Sequence, residues 1–188
     1  MSGARRCMRL DELLRGIAQV PHGAGDIVVS GLTQDSRAVQ RGDAFVALSG
    51  ARAHGITFAP MAVGLGAVAV LAERAGDGGR EAGDEAPVLW IENLRARLGE
   101  IAARFFDHPS RALTLIGVTG TNGKTSTVQL LAQALTRLGH RAATIGTLGA
   151  GLYGALQAGE RTTPDVISVH ALLAQFRDAG ASHVAMEV

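Results

Sequence analysis

One stretch constrains this chain more than any other: Leu113-Thr114-Leu115-Ile116-Gly117-Val118-Thr119-Gly120-Thr121-Asn122-Gly123-Lys124-Thr125-Ser126. Leu113 to Val118 is an apolar, partly β-branched run, the pattern of a buried parallel strand. It breaks into a short loop with glycines at 117, 120 and 123, and Lys124-Thr125 then opens an amphipathic helix. Glycines let the backbone curl so that several N–H groups face one point, and the new helix turns its positive dipole end to the same point. Lys124 adds a compact charge and Thr125 a hydroxyl suited to Mg²⁺. This is the pattern of a polyphosphate cradle in an α/β fold. A plain glycine turn followed by an exposed lysine is the competing reading.

Composition sharpens the point. Of the 18 Lys and Arg residues, Lys124 is the single lysine. A chain that uses Arg for every other cation keeps Lys where a slim ammonium must fit between phosphate oxygens, a place too narrow for a planar guanidinium. The strict phosphate-loop pattern asks for a glycine where this chain has Val118, so the loop is a variant.

The totals narrow the class. At 188 residues the chain has room for one large or two small domains. A formal net charge of +1 makes no electrostatic case for nucleic acid or an anionic membrane, and 4% aromatics supply few stacking platforms. Cys7 is the only cysteine, which excludes an internal disulfide and suits a reducing cytoplasm. Asp11 and Glu12 stand where the apolar core of a leader following Arg5, Arg6 and Arg9 would begin. The longest uncharged run, Gly55 to Ala72, is broken by Pro60, Gly64 and Gly66 and reads as helix, turn and strand. A soluble cytoplasmic protein is expected.

In chain order, residues 8–17 read as a short amphipathic helix and 27–29 as a strand, with 32–37 a shorter extended piece. Gln40 to Asp43 reads as a turn before a buried strand at 44–48. A small-residue loop spans 49–55, a helical face 58–65, and strands follow at 68–71 and 87–91, separated by a solvated loop at 76–86. A helix at 94–106 leads to Asp107-His108-Pro109-Ser110, where Pro109 disfavours helix at the residue before it. Two domains are therefore expected: 1–108, a small α/β substrate domain, and 109–188, the start of a doubly wound parallel sheet with a phosphate-loop ATPase character. The second carries a helix at 124–138, strands at 142–148 and 182–188, and a glycine-spotted excursion at 149–159. A further helix should begin with Thr163 as N-cap and Pro164 at its first position. Three parallel strands with no helix after the last make an unfinished sheet with an open apolar edge, so the chain reads as truncated.

Gly117 to Thr125 resembles the ATP loop of the Mur ligases, which add amino acids to the nucleotide precursor of peptidoglycan. Three further stretches resemble the member that adds the third peptide residue. They are Thr33-Gln34-Asp35-Ser36-Arg37 with Gly42-Asp43-x-Phe45-Val46-Ala47; Gly146-Thr147-Leu148-Gly149; and Thr162-Thr163-Pro164-Asp165 with Ala185-Met186-Glu187-Val188. The first also resembles the ligase that adds the terminal dipeptide.

The resemblance implies an ATP- and Mg²⁺-dependent ligase joining meso-diaminopimelate or L-lysine to UDP-N-acetylmuramoyl-L-alanyl-D-glutamate through an acyl phosphate. It implies that Gly120, Thr121, Asn122, Gly123, Lys124, Thr125 and Ser126 hold ATP, with Lys124 catalytic. Gln34, Ser36, Ala51, Arg52 and Ala53 would meet the uridine nucleotide, Thr162 and Thr163 the sugar-peptide part, and Thr125 and Glu187 the metal. Gln34 and Arg52 differ from the residues of some relatives. The carbamoylated lysine of the family has no counterpart, because Lys124 is the only lysine. Partners would be small molecules only, with no nucleic acid, no membrane insertion and a monomeric chain. A nucleotide-dependent switch or motor ATPase is the alternative from another class. Bland readings stand beside each site: a strand-end turn at Asp35-Ser36-Arg37, a helix cap at Thr162-Thr163, a surface acid at 187. The histidines show no metal-ligand spacing.

Overall fold

Unbroken apolar runs become strands of two sheets, the first parallel throughout and the second mixed, one in each of two units, Met1–Phe105 and Phe106–Val188. The computed structural model describes residues 6–51, 53–74, 86–157 and 164–188.

In the first unit β1 (Met8–Arg9) pairs antiparallel with β2 (Val28–Val29), and α1 (Leu10–Leu13) follows β1 directly. The amphipathic pattern over 8–17 thus yields only one helical turn. Gly16 leaves the helical path at φ 73°, and Arg104 Nη1 donates to the carbonyls of Leu13 and Arg15, both at 2.8 Å. These carbonyls are met by a guanidinium rather than by another helical turn.

Strands β3 (Gly31–Thr33), β4 (Asp43–Ala47), β5 (Ala69–Glu73) and β6 (Val88–Ile91) lie side by side in chain order, all parallel. Strand β4 is buried throughout, as its apolar run predicts. Phe45, Ala47, Val70 and Ala72 pack on one face against Ala59 and Ala62 of α2 (Ala59–Gly64). Leu94, Leu98, Ile101, Ala102 and Phe105 of α3 (Leu94–Phe105) are buried as well. A 3-10 turn at Gly55–Phe58 precedes α2. Asp43 anchors the turn before β4: its Oδ2 accepts from Gln40 N–H at 2.8 Å, and Gly42 turns the chain at φ 94°.

The second unit departs from a three-stranded expectation. Strands β7 (Thr114–Val118), β8 (Ala142–Gly146) and β11 (His183–Glu187) are parallel, with β11 between the other two. The excursion at 149–159 forms β9 (Gly149–Leu152) and β10 (Ala155–Gln157), both in antiparallel pairings that cover the β8 edge. Two tight turns make this possible, Thr147-Leu148 and Tyr153-Gly154, with positive φ at Gly149 and Gly154. Only β7 remains as the parallel edge, with Leu115 39% exposed.

Helix α4 (Lys124–Arg137) crosses β11 and β8, burying Val128 and Ala132. Helix α5 (Val166–Asp178) packs Leu173 and Phe176 against Ala143, Ile145 and Val184. Side chains alternate across each strand, so α4 and α5 take opposite faces, the doubly wound arrangement. Asp165, not Thr163, caps α5: its Oδ1 accepts from Ile167 N–H at 3.0 Å and Ser168 N–H at 3.1 Å. Pro164 stands before the cap rather than inside the first turn. No helix among the described residues is long and apolar enough to cross a membrane.

Candidate functional site

The glycine loop leaves β7 at the carboxyl end of the parallel strands, where β11 has entered between β7 and β8. That reversal of strand order is the place where open α/β sheets receive ligands. Gly120 has φ 145° and Gly123, the N-cap of α4, has φ 78° with ψ 1°. A side chain at Gly123 would be strained in this left-handed conformation. Lys124 folds back over the loop, and its Nζ donates to Gly120 O at 2.6 Å.

Helix α4 starts without a side-chain cap and without an acid in its first turn. Its leading N–H groups and its positive dipole end therefore face the loop with no cap or first-turn acid of the helix's own to neutralise them. The contrast with α5, whose first N–H groups are met by Asp165, lies within the same unit. Thr121, Asn122, Gly123 and Ser126 are exposed, while Lys124 and Thr125 are half-buried. An anion reaching this loop meets backbone donors, a dipole and an ammonium together.

Glu187 closes the strand beside the loop. It pairs in register with Val118, and Val188 N–H donates to Val118 O at 3.0 Å. Its carboxylate is 2% exposed and accepts from Thr147 N–H at 2.8 Å and from the Thr147 hydroxyl at 3.1 Å. A side chain at Gly146 would collide with it, since a Cβ there would stand 2.8 Å from Glu187 Cγ and Cδ. A surface acid is thereby excluded. Thr147 is the site residue that motif reading passed over: it lies inside a quoted motif, but its role appears only when β8 and β11 are adjacent.

These donors fit Mg²⁺. That ion takes hard oxygens, keeps several waters, and is usually held by one or two carboxylates together with substrate phosphates. Glu187 retains lone pairs beyond the two that Thr147 occupies, and Thr125 offers a hydroxyl. The described residues contain no group of three or more His, Cys, Asp or Glu disposed to cage a metal. The donor set suits a cation that arrives with phosphates.

In the first unit the two stretches proposed for a uridine nucleotide follow β3 and β4, at the carboxyl edge of one sheet. Thr33 Oγ1 accepts from Asp35 N–H at 3.1 Å, and Asp35 Oδ1 accepts from Arg37 N–H at 2.9 Å, so this stretch is a side-chain-bonded turn. Within it Ser36 is 8% exposed, its hydroxyl 3.7 Å from Met61 Sδ, a weak acceptor. Gln34 is half-buried, and Ala51 and Ala53 are exposed. Arg52, Thr162 and Thr163 lie outside the described residues.

The model for the Mur ligase family catalytic domain matches residues 28–106, and that for the Mur ligase middle domain matches residues 118–188. The UDP-N-acetylmuramoyl-L-alanyl-D-glutamate–2,6-diaminopimelate ligase of Xylella fastidiosa is 55% identical over 184 residues, covering 98% of this chain and 36% of its own. A solved ligase of that name superposes with a TM-score of 0.78 at 28% identity, over 96% of this chain and 36% of its own. A D-alanyl-D-alanyl-adding ligase from Acinetobacter baumannii, 22% identical with a TM-score of 0.64, shares the fold across 100% of this chain and 37% of its own. The chain spans just over a third of the length of the relatives it matches.

Proposed function

This chain belongs to the Mur ligase family, and from that membership we propose that it supplies the nucleotide-handling part of an ATP-dependent amide-forming ligase. The reaction is addition of the third amino acid, meso-diaminopimelate or L-lysine, to UDP-N-acetylmuramoyl-L-alanyl-D-glutamate, a cytoplasmic step of peptidoglycan synthesis. The observation that carries it is the uncapped α4 N-terminus with Lys124, set at the strand reversal beside buried Glu187. The 55% identity to a diaminopimelate-adding ligase supports the choice of third residue.

In this reading Gly120 to Ser126 surround the phosphates of ATP. Lys124 exchanges its bond to Gly120 O for phosphate oxygens as the substrate carboxylate attacks the γ-phosphorus. The ammonium and the loop N–H groups then stabilise charge building on the transferring group. Thr125 and Glu187 would hold Mg²⁺, which when bound neutralises phosphate charge, and Thr147 keeps the Glu187 carboxylate aimed. Ser36, whose hydroxyl meets a thioether among the described residues, has a stronger bond to offer the uridine nucleotide. Gln34, Ala51, Arg52 and Ala53 complete that contact, Thr162 and Thr163 meet the sugar-peptide part, and the protein acts as a monomer.

Removal of the ammonium tests this. In the whole ligase Lys124→Ala should lower ADP release by about 10²–10³-fold, the scale of losing one charge-stabilising donor, while UDP-substrate affinity stays as it was. Unchanged turnover would sink the assignment.

A further inference from the structure

The loop between β4 and the 3-10 turn carries Ala51 and Ala53 and has two feet, Ser49 and His54, which bridge to each other. One residue from another strand holds both. Glu73, the last residue of β5, accepts from Ser49 N–H through Oε2 at 2.9 Å, and its main-chain carbonyl lies 2.7 Å from His54 Nε2. His54 Nδ1 accepts from Ile56 N–H at 3.0 Å, which leaves the ring proton on Nε2 to be donated to Glu73 O. The other side-chain oxygen of Glu73 accepts from Arg95 N–H at 3.2 Å in the first turn of α3, and Arg95 Nη2 returns to Ser49 O at 2.6 Å. The Glu73 side chain is 14% exposed.

Two close approaches fix the loop further. Gly50 N–H donates to Ala53 O at 3.1 Å, and a side chain at Gly55 would press within 2.9 Å of Ala47 Cα. The two feet of the loop are thus held in advance of any ligand.

We propose that Glu73 is a positioning residue for the uridine-nucleotide substrate: with His54 and Arg95 it clamps the two feet of the loop, Ser49 and His54, in the arrangement that binding needs. The inference rests on the assignment of this loop to that substrate in the preceding section. A carboxylate is required, because Ser49 N–H and Arg95 N–H are both donors and each needs its own acceptor oxygen. Glutamine offers one oxygen and turns an NH2 toward the remaining donor. A loop held in its bound form spares the ligand the entropy of ordering it, so a broken clamp appears as lost affinity.

Glu73→Gln and His54→Phe act on different feet, and Phe keeps a ring beside Trp90. The 188-residue chain would be titrated calorimetrically with UDP-N-acetylmuramoyl-L-alanyl-D-glutamate and separately with MgATP, and amide exchange followed at Ser49 and Ile56. Each variant should bind the UDP compound about tenfold more weakly, equivalent to about 1.4 kcal/mol, with MgATP affinity unchanged. Exchange should quicken at Ser49 in Glu73→Gln and at Ile56 in His54→Phe. Wild-type affinity in Glu73→Gln despite fast exchange at Ser49, or an equal loss for MgATP, would overturn the proposal. A wild-type chain that ignores the UDP compound, while the variants still loosen the loop, would instead overturn the substrate assignment.

Discussion

The two units build parallel strands of similar composition into sheets and finish them differently. In the first, β3 to β6 follow one another across the sheet, and the N-terminus of α3 is met by the Glu73 carboxylate. In the second, β11 enters between β7 and β8, and α4 begins with no cap and no acid. One unit satisfies its own helix end and spends that carboxylate on shaping a loop. The other leaves its helix end without cap or acid. An α/β unit therefore opens a helix end to an anion less by adding groups than by withholding the acid that would ordinarily neutralise it.

Trp90 is the sole tryptophan and lies in the first unit; Tyr153 is the sole tyrosine and lies in the second. Their fluorescence makes the comparison breakable unit by unit. Gly146→Val should have the largest effect, because a side chain there displaces the Glu187 carboxylate from Thr147. A loss of about 3 kcal/mol is expected in the Tyr153 transition, with the Trp90 transition unmoved. Equal loss in both would mean that the units do not unfold separately.

Arg104→Ala should do the reverse. It frees the carbonyls of Leu13, the last residue of α1, and of Arg15, and about 2 kcal/mol should disappear from the Trp90 transition alone. Asp165→Ala uncaps α5 and should lower the Tyr153 transition by about 1 kcal/mol. If it left that transition untouched, the contrast between a capped α5 and an uncapped α4 would carry no energetic meaning.

The smallest effect concerns pH. Burial first, and His108 second, hold the His170 imidazole below its ordinary 6.5. The neutral ring's contribution is fully present above that ordinary value and is lost as pH falls through the lowered one. The Tyr153 transition should weaken with acidification, and His170→Asn should flatten part of that slope. An unchanged slope in the variant would remove His170 from the account.

The strand, glycine loop and helix start were legible because their pattern is local: three glycines, one lysine and a strand before them stand within a dozen residues. The central strands were legible for a similar reason, since apolar runs of four or five residues leave few alternatives. What escaped was long-range or ambiguous. Arg95 reaches Ser49 across 46 positions and Thr147 reaches Glu187 across 40, distances at which no sequence pattern survives. Strands β9 and β10 were hidden by glycines that serve their turns and also discourage a strand reading. The start of α5 was misplaced because threonine and aspartate are both good caps, and Pro164 fits either register.

Strand β11 is the middle one of the three parallel strands but follows β7 by about seventy residues, whereas β3 and β4 are separated by about a dozen. A pairing of that span closes slowly, because a long loop must be ordered before any contact rewards it. On a ribosome adding about 5–20 residues each second, β7 would wait roughly 4–14 s for its partner, with Leu115 and its backbone edge uncovered. The first unit can zip from neighbour to neighbour as it emerges. The glycine loop, by contrast, hangs from a strand with no bonded neighbour until β11 arrives.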